Sequence, residues 1–281
     1  MSSLQVTKLT PVIGAEITGA DFSIPPDAEL CDELYQLLME HQVIFFRDQF
    51  MTPEVHVALA RSFGSLDQDH PAYPELEKFP AITVLDFGPH NPPDVDTWHA
   101  DLTFRENAPF ASILYSRLIP PYGGDTIWSS LTAAYDALPE DMKQDLENRR
   151  AVHDLGDFRN GLTVGRPDGY ARELVEAHLN FGSALHPLVK VHPATGKRIL
   201  YYNPALVVQV DGESAIRSRR LLNYLYDHVI QPEFQVRFRW TENTVAMWDN
   251  RCTLHYALAD YLPHRRVMHR ITVTKDQRVN S

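Results

Sequence analysis

From Ala81 onward, short runs rich in β-branched and aromatic residues follow one another: Ala81–Leu85, Ala111–Arg117, Leu188–His192, Ile199–Tyr202, Glu233–Trp240, Thr244–Trp248 and Arg265–Thr274. Helical spacing interrupts them twice, near Pro139–Asn148 and Ser214–Val229. A parallel sheet built from βαβ units needs a helix after nearly every strand. Strands in succession with so few helices instead predict sheet packed on sheet, as in a barrel or jelly roll. Before this region, Pro26–Glu40 places Leu30, Leu34, Leu37 and Leu38 at helical spacing. Val43–Phe46 reads as a strand. Thr52 and Pro53 then supply a cap and a first residue for a second helix, which stops near Gly64. Pro193–Lys197 has the composition of a hairpin turn. The expected fold class is mainly β with flanking helices.

No repeat, low-complexity tract or Pro/Gly/Ser linker divides the 281 residues, so one domain spanning 1–281 is expected. Leu155–Leu185 is weakly patterned and carries Gly156, Gly161, Gly165, Gly169 and Gly182. Such a stretch reads as an inserted lid or binding loop, or equally as an ordinary surface excursion.

Charge narrows the partners. With 26 Lys and Arg against 37 Asp and Glu the formal net charge is −11, which argues against a non-specific nucleic-acid binder. An anionic small substrate remains compatible, because a buried pocket can be cationic inside an acidic shell. No apolar run approaches the ~20 residues of a membrane span. The start, Met1 to Val6, lacks the basic region and apolar stretch of a signal peptide. Cys31 and Cys252 allow one disulfide and no disulfide framework. The expectation is a cytoplasmic protein acting on a small anionic molecule, without nucleic-acid or membrane partners. A homo-oligomer is compatible with the chain.

His99 and Asp101 form the one His-x-Asp triplet in the sequence. In an extended segment residues i and i+2 point to one face, so the two side chains can grip one ion. A distant second histidine completes a 2-His-1-carboxylate facial triad, which leaves one face of an octahedral iron open. His255 is the candidate, with His264 and His269 as rivals. Further on, Arg266, Met268 and Arg270 share one face of the last strand, and Val267, His269 and Ile271 the other. At about 3.3 Å per residue the two arginine Cα atoms stand about 13 Å apart, which suits two neighbouring anions better than one. Without the triad, a solvent-facing basic strand would be the simpler account.

Together these segments resemble the taurine/2-oxoglutarate dioxygenases from about Val12 to Thr274. The resemblance is strongest at Trp98–Phe104, Gly123–Thr126 and Pro232–Arg270. It implies a double-stranded β-helix, a cupin-like jelly roll, using Fe(II), 2-oxoglutarate and O2. It assigns His99, Asp101 and His255 as iron ligands, and Thr126 and Arg266 to the distal carboxylate of 2-oxoglutarate. His70, Tyr73 and Arg270 match residues that bind a sulfonate-bearing substrate. The chain departs from the pattern at the amine end of that pocket. Val95 stands where taurine-oxidising members carry an Asn, Leu206 stands where they carry an aromatic, and Phe158 is the nearest match to a Ser-Phe pair in the lid. The implied reaction hydroxylates an organosulfonate such as taurine or another alkanesulfonate, releasing sulfite, succinate and CO2. The alternatives are the same chemistry on an alkyl sulfate or carboxylate, a zinc hydrolase using the same triad, and a non-catalytic jelly-roll binding protein.

Overall fold

The computed structural model describes residues 4–68, 73–94, 96–154 and 182–279. In chain order the elements are β1 (Gln5–Lys8), β2 (Ala15–Thr18), α1 (Ala28–His41), β3 (Val43–Phe46), α2 (Pro53–Arg61), β4 (Gly64–Leu66), β5 (Glu75–Leu76), β6 (Phe79–Phe87), β7 (Ala111–Leu118) and β8 (Thr126–Ser130). There follow α3 (Leu131–Asp136), α4 (Glu140–Leu146), β9 (Arg150–His153), β10 (Ala184–Pro187), β11 (Val189–Val191), β12 (Arg198–Leu200) and β13 (Val207–Val210). The chain continues through α5 (Ala215–Val229), β14 (Gln235–Phe238), β15 (Val245–Asp249), β16 (Thr253–Ala257) and β17 (Arg266–Asp276). The fold is mostly β with few helices, as expected. Of the weakly patterned 155–185 segment, residues 155–181 lie outside the described ones.

Helix ends follow the sequence signals. Asp27 accepts from the Leu30 N–H, and Thr52 accepts from the Val55 N–H with Pro53 at the first helical position. Ser214 caps α5 in the same way. The turn at 193–197 joins β11 to β12, which pair antiparallel as a hairpin.

The larger sheet has the strand order β1-β2-β3-β15-β7-β17-β6-β5 among the described residues, with β4 beside β17. A second sheet, β14-β8-β16, faces it. Between them Val43, Phe45, Leu114, Ala246, Trp248 and Met268 of the large sheet meet Trp128, Val236 and Phe238 of the small one. The residues alternating with these, Ile44, Phe46, Ile113, Met247, Ile271 and Val273, point the other way and pack under α1 and α2. The centre of the large sheet is therefore buried on both faces, which is why its central strands read as nearly unbroken apolar runs. A third cluster, built on α3, α4, α5 and β11 to β13, covers the far side of β16 through Leu254.

This alternation positions the functional side chains. On β17, Met268 enters the inter-sheet core and Ile271 the helix-facing one. Arg266 and Arg270 share Met268's face and look inward. On β16, Leu254 packs outward, so His255 points inward, opposite Trp128 in the β8 register. Cys31 and Cys252 are both buried free thiols, so the one conceivable disulfide is not formed. Among the described residues no helix is long and apolar enough to cross a membrane.

Phe45 stacks on Phe238 with ring centroids 3.9 Å apart and meets Trp128 edge-on at 5.3 Å. Phe45→Ala should cost about 3–5 kcal/mol of unfolding free energy, read as a lower denaturant midpoint at unchanged m-value. Phe50, 70% exposed, serves as the control: Phe50→Ala should change stability by no more than about 0.5 kcal/mol.

Candidate active site

Two backbone hydrogen bonds build the centre. His99 N–H donates to the His255 carbonyl at 3.0 Å, and His255 N–H donates to the His99 carbonyl at 2.7 Å. This antiparallel bridge sets the imidazoles side by side with centroids 4.0 Å apart. Asp101 follows on a turn tied down at several points. Asn250 accepts from the Asp101 N–H at 2.8 Å and donates to the Asp101 carbonyl at 2.9 Å. Asn203 donates to the Ala100 carbonyl at 2.8 Å. The next residue, Leu102, has φ 54°, a left-handed backbone that a branched side chain rarely adopts. Such strain persists where surrounding bonds over-determine the conformation, as they do here.

His99, Asp101 and His255 each offer one ligand atom, and the three atoms lie within 4.8 Å of one another. The Asp101 Oδ1 atom is 3.9 Å from His99 Nε2 and 3.8 Å from His255 Nε2. His99 Nδ1 faces the Thr97 carbonyl at 2.9 Å, so Nδ1 carries the proton and Nε2 presents its lone pair toward Asp101. His255 is oriented by packing on Trp248, at 5.0 Å between centroids. Burial lowers the pKa of both imidazoles and keeps them neutral. Burial pushes the Asp101 carboxyl up, but the Arg270 guanidinium, helped by the Ser112 hydroxyl, outweighs it and holds the group ionised. Ser112 Oγ donates to Asp101 Oδ2 at 2.9 Å. Neutral imidazoles and an ionised carboxylate are the protonation states that metal binding requires, so the residues present fit a divalent ion. The two rivals are elsewhere: His264 is paired with Tyr122, and His269 lies on the opposite face of β17.

A cavity of about 130 Å³ opens on this triad, lined also by Thr126, Arg266, Arg270, Tyr73 and Leu206. Arg266 is buried, and burial pulls its pKa down to about 10. Its Nη2 reaches Thr126 Oγ1 at 3.5 Å, and Trp240 Nε1 donates to the same hydroxyl at 2.9 Å. Among the described residues no carboxylate forms an ion pair with Arg266, and its Nε has no hydrogen-bond partner. The Gly123 and Gly124 motif has a steric reason. Gly124 has φ +69°, and a Cβ there would lie 3.2 Å from the Arg266 Cδ and from the Tyr261 ring.

Arg270 both lines the cavity and donates to Asp101 Oδ1 at 3.1 Å. Tyr73 donates to Asp94, a cavity carboxylate that sequence reasoning missed. Leu206 packs on Phe104. Trp128, Trp248, Phe104 and Tyr261 also line the cavity and were missed, as were Asn250 and Ser112 around Asp101. Asn250 and Phe104 fall inside motifs quoted for their neighbours; nothing in the sequence marks Ser112. His70, Val95 and Phe158 lie outside the described residues.

A second buried group, His192, Asp249 and Cys252, has ligand-type side chains close together, but its donors are already engaged. His192 Nδ1 accepts from the Ala194 and Thr195 N–H groups at 3.2 and 3.1 Å, and Nε2 lies 3.0 Å from Asp249. Arg251 pairs with Asp249 at 2.6 Å and with Asp276 at 3.0 Å. Burial pushes the Cys252 thiol up, keeping it protonated. This is a hydrogen-bonded brace between the β11–β12 hairpin and the end of β15.

Residues 5–272 match the taurine catabolism dioxygenase TauD, TfdA family. An alkylsulfatase from Acinetobacter baylyi is 36% identical over 275 residues, spanning 96% of this chain and 84% of that protein. An alpha-ketoglutarate-dependent sulfate ester dioxygenase from Pseudomonas putida is 35% identical over 275 residues, spanning 96% of this chain and 89% of that one. The crystal structure of a taurine dioxygenase from Burkholderia xenovorans superposes with a TM-score of 0.82 at 35% identity, covering 98% of this chain and 90% of that chain. The chain therefore belongs to the TauD, TfdA family and is an enzyme of the alpha-ketoglutarate-dependent dioxygenase type.

Proposed function

We propose that this enzyme hydroxylates a small, amine-free organosulfonate or sulfate ester, with Fe(II) held by His99, Asp101 and His255 between two sheets that form a double-stranded β-helix. As an enzyme of this type it works with Fe(II), 2-oxoglutarate and O2, which excludes the zinc hydrolase and the non-catalytic binding protein. The observation that carries the residue assignment is Arg266. A buried guanidinium without an ionic partner is costly, and this one faces the cavity that holds the triad. The distal carboxylate of 2-oxoglutarate supplies the missing charge, with Thr126 as a second donor.

When bound, Fe(II) with 2-oxoglutarate and O2 supplies the oxidising power, and 2-oxoglutarate leaves as succinate and CO2. The protein's own part is orientation and exclusion of water. Arg270, which faces both Asp101 and the cavity, draws the substrate's anionic head to the metal side, with Tyr73 beside it. Trp128, Trp248, Phe104 and Leu206 wall the reacting carbon from solvent. Hydroxylation of a carbon bearing a sulfonate or a sulfate ester oxygen gives a product that collapses to an aldehyde, releasing sulfite or sulfate. The far wall, with Leu85, Phe87, Pro93 and Leu258, is apolar. It suits an alkyl tail, as does Val95 in place of an amide. Two of the three similar proteins described above are named for sulfate ester chemistry and the third for taurine, which supports extending the substrate from sulfonates to sulfate esters.

Asp101→Ala or His255→Ala should abolish Fe(II) binding and hydroxylation, since a facial site has only three protein ligands, whereas His264→Ala should leave both intact. Activity lost in the His264 variant and kept in the His255 variant would reverse the assignment. The arginines should separate. Arg266→Ala removes a charge-assisted pair worth roughly 1.5–3 kcal/mol and should raise KM for 2-oxoglutarate by about 10- to 150-fold. Arg270→Ala should impair the prime substrate while succinate formation without substrate oxidation persists; identical defects in both variants contradict the two-anion reading. For specificity, kcat/KM for hexyl sulfate or hexanesulfonate should exceed that for taurine by about one to two decades, the cost of one lost hydrogen bond to a buried ammonium. Val95→Asn should narrow the gap, and a preference for taurine in the unmodified enzyme would overturn the amine-free reading.

A further inference from the structure

Behind the Asp101 turn lies a cluster of titratable side chains with no part in the reaction described above: His153 at the end of β9, His186 on β10, Lys190 on β11 and Tyr201 just after β12. His186 Nε2 lies 2.9 Å from the Thr103 carbonyl oxygen and 3.1 Å from that of Arg105. A ring nitrogen facing two acceptors must carry the proton. Nδ1 is then the lone-pair nitrogen, and Lys190 Nζ sits 3.2 Å from it as donor. Lys190 is itself fixed, 3.4 Å above the Tyr201 ring centroid. Tyr201 stacks on His153 at 5.6 Å and meets the His186 ring edge-on at 5.3 Å. Among the described residues Lys190 forms no ion pair; its known partners are a π-face and an imidazole lone pair. Burial lowers its pKa to about 7, and it lowers that of His186 too.

The two carbonyls held by His186 flank Phe104, whose side chain lines the cavity and packs on Leu206. Asp101 is secured separately, by Asn250 on its backbone and Ser112 on its carboxylate. The bonds thus divide the turn into a metal half and a wall half, and only the wall half depends on His186. Thr103 joins the two: its hydroxyl receives the Asn203 amide at 2.7 Å and contacts His153 Nδ1 at 2.9 Å.

We propose that His186, oriented by Lys190, is a positioning residue that sets Phe104 against the substrate's apolar tail without contributing to the metal site. The inference rests on reading the cavity as the substrate site, so the test reads metal, substrate and tautomer independently. Mn(II) affinity in the presence of 2-oxoglutarate is measured by electron paramagnetic resonance, and KM and kcat are measured with hexyl sulfate and hexanesulfonate. His186→Leu should leave Mn(II) affinity within about twofold, raise KM for the better probe at least about tenfold with a smaller change in kcat, and increase succinate formed per substrate oxidised. His186→Gln keeps an N–H donor at comparable reach and should recover most of the KM. In 15N spectra the wild-type His186 ring should be the Nε2–H tautomer, and Lys190→Met, which removes the donor to Nδ1, should admit Nδ1–H and give an intermediate KM.

The proposal is overturned if KM is unchanged in His186→Leu, if Mn(II) affinity falls in step with it, or if Gln rescues no better than Leu. A wild-type ring that is protonated or Nδ1–H overturns it without any substrate measurement. Absence of Mn(II) binding by the wild type would instead sink the triad assignment. Failure of both probes with Mn(II) bound would sink the substrate reading, leaving the tautomer to decide the positioning role.

Discussion

The centre depends on a single β-bridge. His99 and His255 are far apart in sequence, and neither sits beside the other by virtue of any local motif. Two reciprocal backbone hydrogen bonds, 3.0 and 2.7 Å long, make them neighbours. Backbone bonds of this kind are short, directional and shielded here from water, so they fix side-chain origins more tightly than contacts between long side chains could. With the bridge in place, the β16 pleat turns His255 inward, and the i, i+2 relation brings Asp101 to the same point. Asn250 then locks the turn by satisfying both backbone groups of Asp101.

Electrostatics follows from the same arrangement. One carboxylate, Asp101, stands among two neutral imidazoles and the Arg270 guanidinium. Arg266 stands apart, near Thr126 and Trp240, with no ion-paired carboxylate among the described residues. A single inward-facing stripe on β17 carries both arginines, so the rigid pleat sets their separation. Both guanidinium groups reach the cavity along one axis because the strand holds them there. The acidic exterior implied by a net charge of −11 and the cationic interior coexist because burial and a low local dielectric let a few guanidinium groups dominate the field within the cavity.

How much of this was legible in the sequence depended on what each strand buries. β3, β7, β15 and β17 could be read directly because apolar residues occupy both faces. β8 could not: Ser129 and Ser130 are fully buried, donating to the Val229 carbonyl and to Gln42, so a core strand looks polar. β16 was hidden because His255 interrupts its apolar pattern. β1 is exposed at all four positions and offers no pattern. His-x-Asp and the paired arginines were visible because each pair falls within a few residues of sequence. Asn250, 149 residues from Asp101 along the chain, and the His186 pair with Thr103 were not, because those contacts exist only after the sheets close.

The placement of β17 has a consequence for the order in which the molecule can come into being. It is the last strand in the described sequence, yet it lies inside the large sheet between β7 and β6. Until residues 266–276 leave the ribosome, β6 and β7 have an unfilled gap between them, and both arginines are missing from the interior. Pairings this distant in sequence close late and slowly. A nascent chain that already holds His99, Asp101 and His255 therefore lacks the strand that completes the cavity around them. The topology makes closure of the cavity wait for the emergence of β17.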